Sequence, residues 1–263
     1  MRALSIAATG MLAQQMNVEV ISNNIANMNT TGFKRQRAEF QDLLYQNLER
    51  IGAASSDEGT VVPSGIQIGV GVKTGTVYRV TEQGNLASTE NTYDIAVQGK
   101  GYFRVRLPSG QDAYTRAGAF SLSPEGQIVT ADGFVVAPGI TIPREAMDVT
   151  INAQGQVQIR MPGQTAPVTV GQLELSTFFN EAGLEAMGDN MFLESNSSGA
   201  PVNGTPGAPG FGTILQGFLE TSNVNAVAEI TSLISAQRAY EMNAKVITTA
   251  DEMLSMTSRL SRG

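Results

Sequence analysis

No cysteine, histidine or tryptophan occurs in the 263-residue chain. Without cysteine there is no disulfide, no thiolate metal site and no cysteine nucleophile. Without histidine the usual general base and the commonest metal ligand are both missing. Neither absence fixes a compartment, because a cysteine-free chain suits oxidising and reducing surroundings alike. Charge is scarce, at 16% of residues, and the balance is acidic, with a net charge of −7 and a pI near 4.7. That argues against nucleic acid as a partner. Basic residues gather only at Lys34, Arg35 and Arg37, and the plain reading is a solvated patch or contacts to neighbouring carboxylates. No run of about 18 apolar residues exists, so no membrane-spanning helix is expected. The N-terminus opens on Arg2 and apolar residues, as a secretory signal does. Gln14, Gln15, Asn17 and Glu19 then interrupt the run, and a cleaved signal is rejected.

What the chain does have is periodicity at both ends. Counting from Leu4, one heptad row holds Leu4, Met11, Val18 and Ile25, and a second holds Ala7, Gln14, Ile21 and Met28. This is the seam of a helix that packs along another helix, over residues 3–28. Asn27, Asn29, Thr30 and Thr31 are turn formers. Gly32 stands where a left-handed turn ends the helical region, and Phe33 follows as an apolar anchor. Asn223 or Asn225 is a plausible cap for a final helix reaching Leu260, roughly 50 Å long at 1.5 Å per residue. Ala226, Ile230, Leu233, Gln237, Tyr240, Ala244, Ile247 and Leu254 hold heptad spacing there, and Asp251 breaks the row. Met11, Met16 and Met28 in the first helix, with Met242, Met253 and Met256 in the last, read as ordinary core or as an adaptable interface.

Between the helices the pattern changes. Residues 38–49 present Phe40, Leu43, Leu44 and Leu48 on one side, a short helical pattern. Residues 52–59 are small and polar, a loop. Residues 67–72 and 75–80 read as extended chain, with a long hairpin as one arrangement. From about Asp94 to Leu175 the period is two, and turn signals recur at Pro108–Gly110, Pro124–Gly126, Asp132–Gly133 and Ala153–Gly155. That is an all-β module of short antiparallel strands. Residues 195–213 are rich in Ser, Gly and Pro and read as a loop or extended arm. The expected class is α+β: terminal helices in a coiled-coil-like bundle, with a central all-β domain. The expected division is a terminal helical domain (1–30 and 223–263), a connecting region (31–93 and 190–222) and a central β domain (94–189).

Chemistry is hard to find. Gly69-Val70-Gly71 with Gly75 lacks dinucleotide-binding spacing, and no phosphate loop occurs. Adjacent acids at Asp57/Glu58 and Asp251/Glu252 diverge on any regular element. A distant carboxylate pair such as Asp94 with Glu174 is conceivable for glycoside hydrolysis, yet nothing selects it. Tyr114-Thr115-Arg116 reads as a cross-strand group before a ligand site. No catalytic residue, cofactor or metal is assigned, and no enzymatic activity is expected.

Several stretches nevertheless resemble one known family. Residues Ala26-Asn27-Met28-Asn29-Thr30-Thr31-Gly32-Phe33-Lys34-Arg35 resemble the N-terminal signature of flagellar axial rod and hook proteins. Gln237-Arg238-Ala239-Tyr240-Glu241-Met242-Asn243-Ala244-Lys245 is similar to their C-terminal signature. Gly99-Lys100-Gly101-Tyr102-Phe103 and Tyr114-Thr115-Arg116-Ala117-Gly118-Ala119-Phe120 resemble the central β module. Leu219-Glu220-Thr221-Ser222-Asn223-Val224-Asn225 resembles the approach to the last helix. Length and a segment at about 46–66, of the kind thought to keep a rod straight, favour the distal-rod branch.

The resemblance implies a structural subunit that stacks helically into a hollow, torque-bearing rod, with terminal helices around an export channel and the β module outward. It implies a periplasm-spanning location in the basal body and export without a cleaved signal peptide. The partners it implies are further copies of the chain, proximal rod proteins, hook or hook-junction subunits, ring proteins of the peptidoglycan layer and outer membrane, and the flagellar type III export apparatus. The assembly surface would comprise Leu4, Met11, Val18, Ile21, Ile25, Asn27, Gly32, Phe33, Ile230, Leu233, Gln237, Tyr240, Ala244, Ile247 and Leu254. Three other readings stand beside it: a proximal rod or hook relative, a secreted β module acting on or binding peptidoglycan, and a soluble coiled-coil dimer with a β insert.

Overall fold

Proline is absent from 2–26 and from 226–260, and both stretches are rich in Ala, Leu, Ile and Met. Each forms one unbroken helix, α1 at Arg2–Ala26 and α2 at Ala226–Leu260. The computed structural model describes residues 2–47, 65–164 and 166–260. Residues 48–64, most of the segment expected to stiffen a rod, lie outside the described residues. Among those described, no helix is long and apolar enough to cross a membrane.

The chain divides into two compact units. The first holds Met1–Ile25, Gln36–Tyr78 and Ala226–Gly263. Beside its helices runs a two-stranded ribbon, in which Gln36–Asp42 pairs Val72–Arg79 and Tyr45–Asn47 pairs Gln67–Gly69 antiparallel. The helical pattern at 38–49 is therefore corrected: its described part is strand. Ala38 and Phe40 also satisfy a period of two, with Arg37 and Glu39 pointing to solvent, and the cross-strand partner decides the outcome. The extended stretches at 67–72 and 75–80 likewise pair with this segment, not with each other. The ribbon is pinned to α1 where the Val72 amide donates to Thr9 Oγ1 at 3.3 Å.

The second unit, Ala26–Arg35 with Arg79–Asn225, is the expected array of short strands. A nine-stranded sheet runs from Glu185–Gly188 through Met191–Leu193, Asp112–Thr115 and Tyr102–Arg106 to Val135–Val136, Ile128–Val129 and Ser121–Leu122. Leu175–Thr177 branches from it and pairs Val202–Gly204. That branch corrects the loop reading of 195–213, which holds a strand. A three-stranded sheet (Asp148–Ile151, Gln156–Arg160 and Val168–Gln172) lies beside it in the chain. The pair Ile95–Gln98 and Thr213–Gln216 brings together segments far apart in sequence. The core is mostly aliphatic, with Ile95, Ile128, Ile159, Leu175 and Ile214 fully buried around Phe103. A second cluster sets Tyr102 and Tyr114 edge-on to Phe178, the latter ring centres 4.8 Å apart.

Candidate assembly site and the buried ionic hub

The second unit is closed by an ion cluster around Glu220, a residue just ahead of α2 and 1% exposed. Its Oε1 accepts from Lys34 Nζ at 2.5 Å and from the Gly84 amide at 3.0 Å. Its Oε2 accepts from Arg116 Nε at 2.9 Å, and Arg116 Nη2 lies 2.8 Å from the same oxygen as an ion pair. Two cations thus share one carboxylate, and the surplus positive charge is taken up by main-chain oxygens. Lys34 donates to Glu82 O at 2.8 Å, and Arg116 Nη1 to Gly99 O at 2.8 Å and Gly101 O at 2.6 Å. Burial pulls the Lys34 ammonium below its ordinary pKa, and the Glu220 charge and hydrogen bond oppose that pull. The Arg116 guanidinium also lies 5.8 Å from the Tyr102 ring, whose hydroxyl donates to Glu181 Oε2 at 3.1 Å. Burial, reinforced by Glu181, holds the Tyr102 phenol protonated by raising its pKa.

Gly32 lets this cluster close. It has φ 69°, a left-handed conformation, and its amide donates to Glu220 O at 2.8 Å. A Cβ there would sit 2.8 Å from Ala117 N and 2.9 Å from Arg116 C, both main-chain atoms. Gly32→Ala is expected to cost about 1–3 kcal/mol from backbone strain, read as a lower urea midpoint with an unchanged slope. Asn223 adds a clamp: it donates to Val80 O and Glu82 O, both at 3.0 Å, and accepts from the Arg35 amide at 2.7 Å. It is therefore engaged away from α2, and Asn225 is the residue that directly precedes that helix. The segments leaving α1 and entering α2 are thus tied to one buried charge cluster.

In the first unit α1 and α2 run antiparallel. Asn24 Nδ2 donates to Glu229 Oε2 at 3.2 Å, while Gly10 lies against the Asn243 side chain at the other end. Between these points Gln15, Val18 and Glu19 of α1 face Gln237, Tyr240 and Glu241 of α2 across a groove of about 520 Å³. Asn24 also exchanges two 2.8 Å hydrogen bonds with the main chain of Gln36, which fixes the ribbon's start. The covered row of α2 is Glu229, Ala236, Asn243 and Ala250, a heptad of small and polar residues. Most of the helix's large apolar side chains lie outside it. Val227 is 76% exposed, Ile230 48%, Met242 64% and Met253 59%.

Residues 4–34 match the family model described as flagella basal body rod protein, and residues 215–260 match that of the flagellar basal body rod FlgEFG protein C-terminal. Residues 96–159 match the flagellar hook protein FlgE/F/G D1 domain. The flagellar basal-body rod protein FlgG of Caulobacter vibrioides is 63% identical over 260 residues, covering 99% of each chain. That of Agrobacterium fabrum is 53% identical over 259 residues, covering 98% of this chain and 99% of its own. The chain belongs to the FlgG family of flagellar basal-body rod proteins. The rod protein FlgF of the same Caulobacter vibrioides is only 33% identical, over 271 residues covering 99% of this chain and 98% of its own, so the FlgG branch is favoured over FlgF. Its role is structural, as a subunit of the flagellar distal rod.

The residues picked from the sequence as an assembly surface occupy different surroundings in this FlgG-family chain. Ile21 and Gly32 are buried; Leu4, Met11, Val18, Ile25, Asn27 and Phe33 are half-buried. On α2, Leu233, Ala244 and Ile247 are half-buried, whereas Ile230, Gln237, Tyr240 and Leu254 are exposed. The row Ile230, Gln237 and Ala244 thus stands one residue beside the row that α1 covers. The covered row was overlooked because Glu229 and Asn243 are polar. The signal was the pair Ala236 and Ala250 on the same heptad line, since small residues let helices approach closely. The hub residues Lys34, Arg116 and Glu220 all lay inside quoted family motifs, but no single-residue pattern linked them. Asp94 and Glu174, the conceivable carboxylate pair, have separate structural partners, Asn91 at 3.0 Å and Arg104 at 2.9 Å.

Proposed function

We propose that this subunit polymerises helically into a stiff, hollow drive shaft that carries torque from the motor to the hook and encloses the export channel. The observation that supports this is the apolar surface left uncovered on α2. Filling it against neighbours would contribute on the order of 5–10 kcal/mol gross per copy, at about 1 kcal/mol for each half-buried aliphatic side chain. Association costs of similar size oppose it. Stacking therefore needs many weak contacts made together, and an isolated copy gains little from ordering its ends. In this reading α1 and α2 form a coiled-coil-like bundle completed by other copies around the channel. Of the fifteen residues picked from the sequence, Leu4 to Leu254, the thirteen that are not buried within one copy belong to that assembly surface; Ile21 and Gly32 support it from within. The division into terminal helical domain (1–30 and 223–263), connecting region and central β domain (94–189) describes the same arrangement. The shaft spans the periplasm, is delivered by the type III apparatus, joins proximal rod proteins below and hook or hook-junction subunits above, and turns inside the peptidoglycan-layer and outer-membrane rings.

Electron microscopy of basal bodies carrying a tagged copy tests this reading. A tag inserted at the exposed Ser109–Gly110 turn should decorate the outside of the distal rod. Label on the hook, on the proximal rod or nowhere on the basal body would overturn it.

A further inference from the structure

The strand Asp112–Thr115 turns Asp112 and Tyr114 to one face. Tyr114 pairs Phe192 on the next strand, so Glu194, two residues on, comes opposite Asp112. Like charges set across strands cost stability unless a cation offsets them. Asp112 has Arg104 at 3.4 Å and Arg106 at 3.9 Å. Glu194, and Glu185 on the strand beyond, have no ion pair or side-chain hydrogen bond among the described residues. These three acids, Tyr114, Leu193 and Pro201 line a cleft of about 530 Å³. Tyr114 forms its floor. The residue is 2% exposed and its ring is fixed edge-on to Phe178, yet its hydroxyl makes no hydrogen bond to a described residue. Burial first, then the charges of Asp112 and Glu194, raise the pKa of this phenol against the pull of Arg104. The hydroxyl thus stands protonated in a field of negative charge. A nearly buried hydroxyl without a partner is costly and calls for one from outside.

We propose that this cleft receives a single lysine side chain carried by a partner polypeptide. The site lies wholly within the second unit and does not depend on how copies stack. Its charge selects a cation, and its geometry selects which kind. Among the described residues no three acids converge closely enough to hold a metal ion. An ammonium suits acids set wider apart, because its three hydrogens diverge. One hydrogen can go to the Tyr114 oxygen and the others to Glu185 and Glu194. Leu193 and Pro201 give the methylene stem an apolar wall, as long cationic side chains require. A planar guanidinium would instead want both oxygens of one carboxylate presented as a fork. A diamino acid with a carboxylate beside its terminal amine, such as diaminopimelate, would bring that charge against the two free glutamates.

Titrating the full-length chain, ring-labelled at tyrosine, with Nα-acetyl-lysine methylamide tests this by NMR. Tyr114→Phe identifies the Tyr114 signal. That signal should move and saturate in the millimolar range, as expected for so small a ligand, while those of Tyr45, Tyr78, Tyr93 and Tyr240 stay in place. Glu185→Gln/Glu194→Gln should weaken binding roughly tenfold, at up to about fivefold for each exposed pair. Both positions are exposed, so the double variant should fold as the parent does. Tyr114→Phe, followed on the ligand's own signals, should weaken binding about three- to tenfold. An unmoved Tyr114 signal would overturn the site, as would unchanged affinity in the double glutamine variant. An equal response to the norleucine analogue, which lacks the ammonium, would show an apolar cleft only and overturn it too. Arginine or diaminopimelate derivatives binding as well as lysine would overturn the assignment of the occupant.

Discussion

Replacing Glu220 by glutamine is expected to destabilise the second unit by about 3–5 kcal/mol, because it removes the countercharge from two buried cations. Lys34 and Arg116 are 4% and 5% exposed, so water cannot take over the lost charge. The amide keeps one acceptor and adds donors, which would face Lys34 Nζ, the Gly84 amide or the Arg116 guanidinium. The second unit should unfold at a markedly lower urea concentration, with tyrosine absorbance reporting through Tyr102 and Tyr114. Lys34→Met made with Glu220→Gln should recover part of the loss, since one orphaned cation goes with the carboxylate while Arg116 keeps its carbonyl partners at Gly99 and Gly101. A near-neutral Glu220→Gln would mean that the main-chain oxygens alone hold both cations. The argument from charge pairing would then fail.

The hub also shows where reading the sequence stops. Lys34 looked like part of a solvated basic patch, and a neighbouring carboxylate was among the readings. Which carboxylate could not be seen, because Glu220 is 186 positions away. A turn motif, a strand end and a lead-in to a helix each had a local pattern; their meeting is a property of the tertiary fold. The strands of the second unit were legible for the opposite reason. Alternation and turn residues are local, and so are helix ends, which fell within two or three residues of expectation at Ala26 and Ala226. Residues 38–49 failed because Ala38 and Phe40 fit two periods at once, and only the partner strand Val72–Arg79 discriminates between them. On α2 the hydrophobic pattern pointed to Ile230 as a seam residue. The seam within the chain is made of Glu229, Ala236, Asn243 and Ala250, and the large residues are turned elsewhere. Hydrophobicity marks what must be covered; it does not say by which neighbour.

That distinction makes Ile230→Asp the sharpest test of assembly. Within one copy Ile230 is 48% exposed, so a carboxylate there meets water, and the folded subunit should be indifferent. In the polymer proposed above the same position is to be covered by another copy. The variant loses the isoleucine's burial and must strip water from a charge with no partner, together about 3 kcal/mol or more. Every 1.4 kcal/mol is a factor of ten in affinity, so one such contact weakens at least about 100-fold. Rods should not form and cells should not swim, while the purified subunit keeps its wild-type melting temperature. Met11→Asp should act alike from α1. Thr248→Asp is the control, since it adds the same charge among Lys245, Glu252 and other exposed polar residues farther along α2, and it should leave motility intact. Normal swimming in Ile230→Asp would show that this face stays wet in the rod. A fallen melting temperature would show instead that it serves the subunit's own fold, and in either case the uncovered apolar surface of α2 would need another explanation.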